Sequence, residues 1–372
     1  MITISVIIFL IYAELIVWAI RGIQKLTAAS ASSIPSEATK KISIVIPFRN
    51  EEHRLSPLLE SLKLLPDPAS VEFIFMDDAS EDRSSALIHT ALENSEFDYR
   101  ISKVIRKHKA AKKDAITQAI GLAKYPWIAT FDADISIQAG WWAQLQNALQ
   151  NNPDLILGPI TLKPQDGLLH WVQEVETAGI SQLGRGAAGL GRPSVANGAH
   201  LIYNKAWFES VNGFEGNLHI ASGDDMFLLK KAVANEAEIH YLNDTAAVVE
   251  VQGAKTWPEY FWQRIRWVKK SKEVALQGSN RMGIAVTLAN LWPIVLLFGL
   301  KFDSSLKTIL LFYLFLKITL DFILISYRSL APLHQTAKKT FVANLLYPWT
   351  LVVILVRSLN HSYLWKGREY KK

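Results

Sequence analysis

The chain has 372 residues, of which 50% are hydrophobic and 20% charged, with a formal net charge of +6 and a mean hydropathy of +0.13. That length leaves room for one large domain or two small ones. With no cysteine, disulfides, zinc–thiolate centres and cysteine nucleophiles are excluded, and the composition fits a reducing compartment.

In chain order, the first element is the apolar run 2–20, which carries a single charge, Glu14. It is long enough to cross a bilayer, which needs roughly 20 residues. A cleaved signal peptide is the competing reading, but Arg21-Gly22 and Lys25 follow where small residues would mark a cleavage site, so residues 1–22 are expected to be an uncleaved anchor. Residues 23–40, small, polar and containing Pro35, are expected to be a flexible linker.

From residue 42 the pattern becomes strand, turn, helix. Ile42–Phe48, Val71–Met76, a weaker Tyr99–Ile105 and Trp127–Phe131 read as strands, with helical patterns such as Ala111–Lys124 between them. Short, nearly continuous apolar strands alternating with helices indicate an α/β fold with a mostly parallel sheet covered on both faces. Ligands of such sheets bind beyond the carboxyl ends of the strands. Acidic pairs stand there: Asp77-Asp78 after the second strand and Asp132-Ala133-Asp134 after the fourth. The second pair is either a solvated turn or a chelating pair for a hard divalent cation. The first is either a strand exit with Ser80 or Asp82 as helix cap, or a group that accepts the imide N–H of a base.

Gly184-Arg185-Gly186-Ala187-Ala188-Gly189 satisfies G-x-G-x-x-G, but it follows a helical pattern and lacks the acidic residue of a dinucleotide fold, so a mobile loop is expected there. Ser222-Gly223-Asp224-Asp225 reads as a glycine turn opening a helix, where a carboxylate serves either as a cap or as a general base. Gln263-Arg264-Ile265-Arg266-Trp267 lies in an amphipathic segment, expected over 256–282, suited to a membrane surface. Residues 283–372 are expected to hold two or three further membrane helices, at 284–300, 306–326 and, less regularly because of Pro348, 341–356. The basic residues gather beside these apolar segments: Lys40-Lys41, Lys269-Lys270-Lys272, Arg281, Arg328 and Lys338-Lys339. That placement argues for a membrane's cytoplasmic side rather than for nucleic acid.

Taken together, Val45-Ile46-Pro47-Phe48-Arg49-Asn50-Glu51-Glu52, Asp77-Asp78-Ala79-Ser80, Asp132-Ala133-Asp134, Asn197-Gly198-Ala199-His200, Ser222–Asp225 and Gln263–Trp267 resemble the membrane-bound inverting glycosyltransferases of family 2. Ala111-Lys112-Lys113 departs from the Gly-Lys pair common in that family, and His200 stands where a small amide or apolar residue is more usual. The resemblance implies a GT-A-type nucleotide-sugar-binding domain over 41–255. Pro47, Glu51, Glu52, Asp77, Asp78 and Lys112 would bind the donor nucleotide. Asp132 and Asp134 would hold Mg²⁺ or Mn²⁺, Asp225 beside Asp224 would be the general base, Gln263 and Arg266 would hold the diphosphate, and Gly198, His200 and Trp267 would meet the acceptor. The function so implied is transfer of a sugar, most simply from a UDP-sugar, to a lipid or lipid-linked saccharide at the inner membrane of the cell envelope, with the catalytic domain cytoplasmic. A processive polysaccharide synthase is the alternative.

Overall fold

The computed structural model describes residues 1–30, 39–220, 222–274, 276–330, 336–359, 362–365 and 368–371. In chain order its elements are α1 (Ile2–Ser30), β1 (Ile42–Phe48), α2 (Ser56–Leu62), β2 (Val71–Asp77), α3 (Ser84–Leu92), β3 (Asp98–Lys103), α4 (Ala111–Leu122) and β4 (Trp127–Thr130). There follow β5 (Ile135–Ile137), α5 (Trp141–Leu149), β6 (Leu155–Leu157), β7 (Ile160–Leu162), α6 (Leu168–Gly189), β8 (Leu201–Asn204), α7 (Lys205–Ser210) and α8 (Asp224–Ala234). The last part holds β9 (Ile239–Tyr241), β10 (Val249–Val251), α9 (Trp257–Val274), α10 (Gln277–Gly299), α11 (Leu306–Ser326) and α12 (Thr336–Ser358). The chain forms two compact units, one of residues 27–163 and 195–252, the other of residues 1–26, 164–194 and 253–372.

The first unit is an α/β domain around a seven-stranded sheet of order β3-β2-β1-β4-β8-β6-β9. β1 pairs in parallel with β2 and β4, β2 with β3, and β6 with β9, while β8 runs antiparallel to β4 and β6. Every residue of β2 is buried, as is all of β1 except the half-buried Pro47, which is why both strands read as apolar runs without alternation. The order reverses at β1: the chain winds outward to β2 and β3, then returns to β4 on the other side. That reversal opens a crevice beyond the carboxyl ends of β1 and β4, where such folds bind their ligands. A small sheet, β5-β10-β7, begins immediately after Asp134.

The second unit is helical. Among the described residues, four of its helices are long and apolar enough to cross a membrane: residues 2–28, 277–299, 306–326 and 337–358. Helix α12 runs unbroken through Pro348, so the stretch expected to be least regular is as long as its neighbours. Two expectations are corrected here. Residues 23–30 of the expected linker are the last turns of α1, as Gln24, Lys25, Leu26 and the alanines that follow are good helix formers; residues 31–38 lie outside the described residues. The sequence 184–189 is no loop either, for it completes α6. The reason is packing: a Cβ added to Gly186 would stand 2.5 Å from the Ala19 carbonyl oxygen, and one added to Gly189 would stand 2.0 Å from that of Gly22. The glycines let α6 and α1 approach backbone to backbone.

Candidate active site

The acidic residues stand at four places in the α/β unit, the ends of β1, β2 and β4 and the start of α8, and these are tied to one another. The loop after β1 is sewn to the loop after β2: the Asn50 N–H donates to Ser80 Oγ (3.1 Å), the Glu51 N–H to Ser84 Oγ (2.8 Å) and the Glu52 N–H to Asp82 Oδ2 (3.0 Å). Asp77 accepts the Ser80 N–H at 2.7 Å, so its carboxylate shapes the turn. Asp78 pairs with the Arg106 guanidinium, and Arg49 donates to the Asp78 carbonyl at 2.8 Å. Pro47, Glu51, Glu52, Asp77 and Asp78 thus form one rim along the ends of β1 and β2.

Asp132 and Asp134 leave the end of β4. Asp134 pairs with Arg54 (3.3 Å), and its carbonyl accepts the Gln252 N–H (3.1 Å). Asp132 pairs with Lys112 at 2.9 Å, and the same ammonium lies 3.0 Å from Asp224 Oδ2. Burial alone would lower the pKa of Lys112, but the Asp132 and Asp224 carboxylates beside it hold it above the ordinary lysine value. One cation therefore joins the end of β4 to the start of α8.

Asp224 and Asp225 open α8 after Gly223, whose φ of +79° turns the chain into the helix without the strain a side chain would bring there. Asp224 is buried and committed to Lys112, whereas Asp225 is partly exposed. Asp225 Oδ2 accepts the Gly198 N–H at 3.2 Å, and its Oδ1 accepts the Met226 N–H at 2.8 Å. Gly198 packs directly against this ion pair: a Cβ there would lie 2.9 Å from Lys112 Nζ and 3.1 Å from Asp224 Oδ2. Lys112, Asp132, Gly198, Asp224 and Asp225 are thereby gathered into one cluster.

His200, expected to meet the acceptor, does not. It is 0% exposed, with Nε2 accepting the Trp141 Nε1–H at 2.9 Å and Nδ1–H donating to the Pro159 carbonyl at 3.0 Å. Burial pushes its pKa down to about 4, so it is a neutral core residue packed against Phe131 and Trp141. Its place follows from the strand it precedes: Ala199 and His200 lead into β8, and the chain is buried without alternation from Gly198 to Tyr203.

Gln263, Arg266 and Trp267 lie on α9 in the helical unit. There Arg264, which carried no assignment in the sequence, organises the segment. Its guanidinium pairs with Glu176 of α6 at 2.5 Å, receives Gln263 Oε1 as an acceptor, and lies over the rings of Tyr260 (4.6 Å) and Trp267 (4.3 Å). Arg54, Arg106 and Lys113 were also missed, because a basic residue's partner cannot be read when it lies tens of residues away.

Among the described residues no group of three His, Cys, Asp or Glu side chains stands close enough to hold a metal ion. Asp132 and Asp134 offer two hard carboxylates, the number on which a Mg²⁺-type ion relies when phosphate oxygens complete its shell. The donor set fits such an ion.

Residues 43–216 match the family model for glycosyl transferase family 2. The chain is 23% identical over 239 residues to the poly-β-1,6-N-acetyl-D-glucosamine synthase of Staphylococcus epidermidis, covering 63% of this chain and 56% of that one. It is 31% identical over 137 residues to the undecaprenyl-phosphate 4-deoxy-4-formamido-L-arabinose transferase of Yersinia enterocolitica, covering 36% of this chain and 40% of that one. The chain thus spans about half the length of the curated relatives it matches. Among solved structures, a mannosyltransferase from Pyrobaculum calidifontis, in complex with GDP-mannose and Mn²⁺, shares the fold with a TM-score of 0.60 at 15% identity, over 95% of this chain and 98% of that one.

Proposed function

We propose that this chain, whose residues 43–216 belong to glycosyltransferase family 2, transfers a sugar from a nucleotide-sugar donor to a hydroxyl group of a lipid or lipid-linked acceptor. The observation that carries this reading is the Lys112 ammonium bridging Asp132 and Asp224, with Asp225 held by the Gly198 N–H beside it. In a single inverting displacement, Asp225 takes the proton of the acceptor hydroxyl as that oxygen attacks the anomeric carbon and the nucleoside diphosphate leaves. Asp224 is spent on Lys112, which leaves the base role to its partly exposed neighbour. The rim of Pro47, Glu51, Glu52 and Asp78 receives base and ribose, and Lys112 offers its charge to the diphosphate. Asp132 and Asp134 would hold a divalent cation, Mg²⁺ or Mn²⁺, which when bound supplies charge stabilisation to the leaving group.

The helical unit supports an inner-membrane location with the catalytic unit cytoplasmic. Gln24 of α1 bonds Tyr327 after α11 (2.8 Å), and Lys339 of α12 pairs with Glu174 of α6 (2.6 Å), so one end of the bundle gathers Arg21, Lys25, Arg328, Lys338 and Lys339. A basic end of this kind faces the cytoplasm.

A processive synthase is the second reading, favoured by the match to a polysaccharide synthase over 63% of this chain. Membranes containing the protein, fed a radiolabelled UDP-sugar, separate the two. Label in an organic extract as one discrete species is the expected result; an insoluble product or a ladder of lengths would give the second reading precedence.

A further inference from the structure

Three backbone carbonyls converge on one buried ammonium that the reaction above does not use. Lys113 Nζ donates to the carbonyl oxygens of Asn217 (2.8 Å), Ile220 (2.8 Å) and Ser222 (3.2 Å). Its residue is 1% exposed, on the first turn of α4. An ammonium has three N–H donors and no acceptor, and burying it is costly unless those donors are met. Three carbonyls meet them. In return, the carbonyls of Asn217, Ile220 and Ser222 are satisfied outside any helix or sheet.

Where that stretch leads gives the contact its meaning. Ser222 is followed by Gly223 and then by Asp224 and Asp225, the first residues of α8. The path of the chain into the helix is fixed by Lys113 through main-chain atoms, while the adjacent Lys112 fixes Asp224 through its side chain. The two lysines of Ala111-Lys112-Lys113 thus hold the same helix start from two directions. The chain contains a built-in comparison: Lys231, in the last turn of α8, donates to the carbonyls of Val211 (2.7 Å) and Gly213 (2.7 Å) after α7, so the same chemistry holds the end of that helix away from the acidic cluster.

We propose that Lys113 is a positioning residue for the general base, aiming Asp225 at the acceptor hydroxyl by fixing the chain that enters α8; this rests on the transfer reaction proposed above. Its removal shifts the base without touching the donor rim, so turnover falls and nucleotide binding stays. Misplacing a catalytic group by about 1 Å costs on the order of 100-fold in rate.

The test uses the full chain in detergent, as wild type, Lys113→Met, Lys113→Gln and Lys231→Met. UDP affinity is measured by calorimetry, and UDP release is measured against the most active member of a UDP-sugar panel, per folded molecule. The expected result for Lys113→Met is a kcat lower by about 100-fold, with the UDP Kd and the donor KM within about threefold of wild type. Lys113→Gln, with two donors instead of three, falls between, and Lys231→Met loses thermal stability but not kcat. An unchanged kcat in Lys113→Met, an equal kcat loss in Lys231→Met, or loss of UDP binding or of folding in both Lys113 variants would overturn the proposal, since the lysine would then serve only the fold. If the wild type releases no nucleotide from any donor, the transfer reaction itself falls, and that is seen before any substitution is made.

Discussion

At the scale of single residues, Asp132 and Asp224 share one ammonium although 92 residues separate them, and only the fold brings Lys112 between them. The carboxylates were legible because strand exits and helix starts announce themselves through apolar periodicity and glycine. Their basic partners were not, because nothing local marks the distant carboxylate or carbonyl that a lysine or arginine will meet. His200 was given an acceptor role only through the resemblance at Asn197–His200, while its burial is set by β8 entering the sheet. That burial makes a prediction. An unfolded histidine titrates near 6.5, and His200 in the fold titrates near 4. Between those values the unfolded chain takes up a proton that the folded one does not, so this contribution to stability is intact above about pH 6.5 and is lost as pH falls toward 4. By pH 5 the loss is about 2 kcal/mol. Melting temperatures measured from pH 7.5 to 5 are expected to fall more steeply for wild type than for His200→Gln, and parallel slopes would refute the assignment. A second residue prediction concerns Lys112→Met, which leaves Asp132 and Asp224 without their common cation. Donor KM is expected to rise by at least about tenfold, the effect of losing one charge-assisted contact to phosphate, and unchanged donor kinetics would contradict it.

At the scale of elements, β1, β2 and β4 were readable nearly residue by residue, for they are short, apolar and bounded by turn residues, and so was α4, whose Ala115, Ile116, Ala119 and Ile120 recur at helical spacing. The end of α6 was not. Glycines in a row signal a break when only neighbours in sequence are considered, and here they mark a helix crossing whose other half, Ala19 and Gly22, lies more than 160 residues upstream. Gly186→Leu should therefore destabilise the helical unit by about 1–3 kcal/mol, because the added side chain must force α1 and α6 apart. Gly179→Leu, on the same helix with open space around its Cβ, is the matched control. Thermal unfolding in detergent is expected to show a lower midpoint for the first variant alone; equal midpoints would show that the crossing is not tight.

At the scale of the whole molecule, the apolar segments at either end of the chain were plain from hydropathy, while the regularity of α12 was hidden by Pro348. A proline in a long apolar helix loses only one backbone bond, and neighbouring helices compensate. The absence of native cysteine makes the orientation directly measurable. A single cysteine at Ser304, exposed between α10 and α11, is expected to react with an impermeant maleimide in intact spheroplasts, and one at the exposed Lys63 only after permeabilisation. The reverse pattern would turn the α/β unit outward. The central claim is that Asp225 removes a proton from an acceptor while a nucleotide leaves, and a paired comparison reaches it most directly: UDP release and UDP binding by wild type and by Asp225→Asn, with a panel of UDP-sugars and a membrane lipid extract as acceptor. The expected result is nucleotide release by the wild type, a fall of at least about 100-fold in the variant, and UDP affinity equal in both; undiminished release by Asp225→Asn would contradict the account.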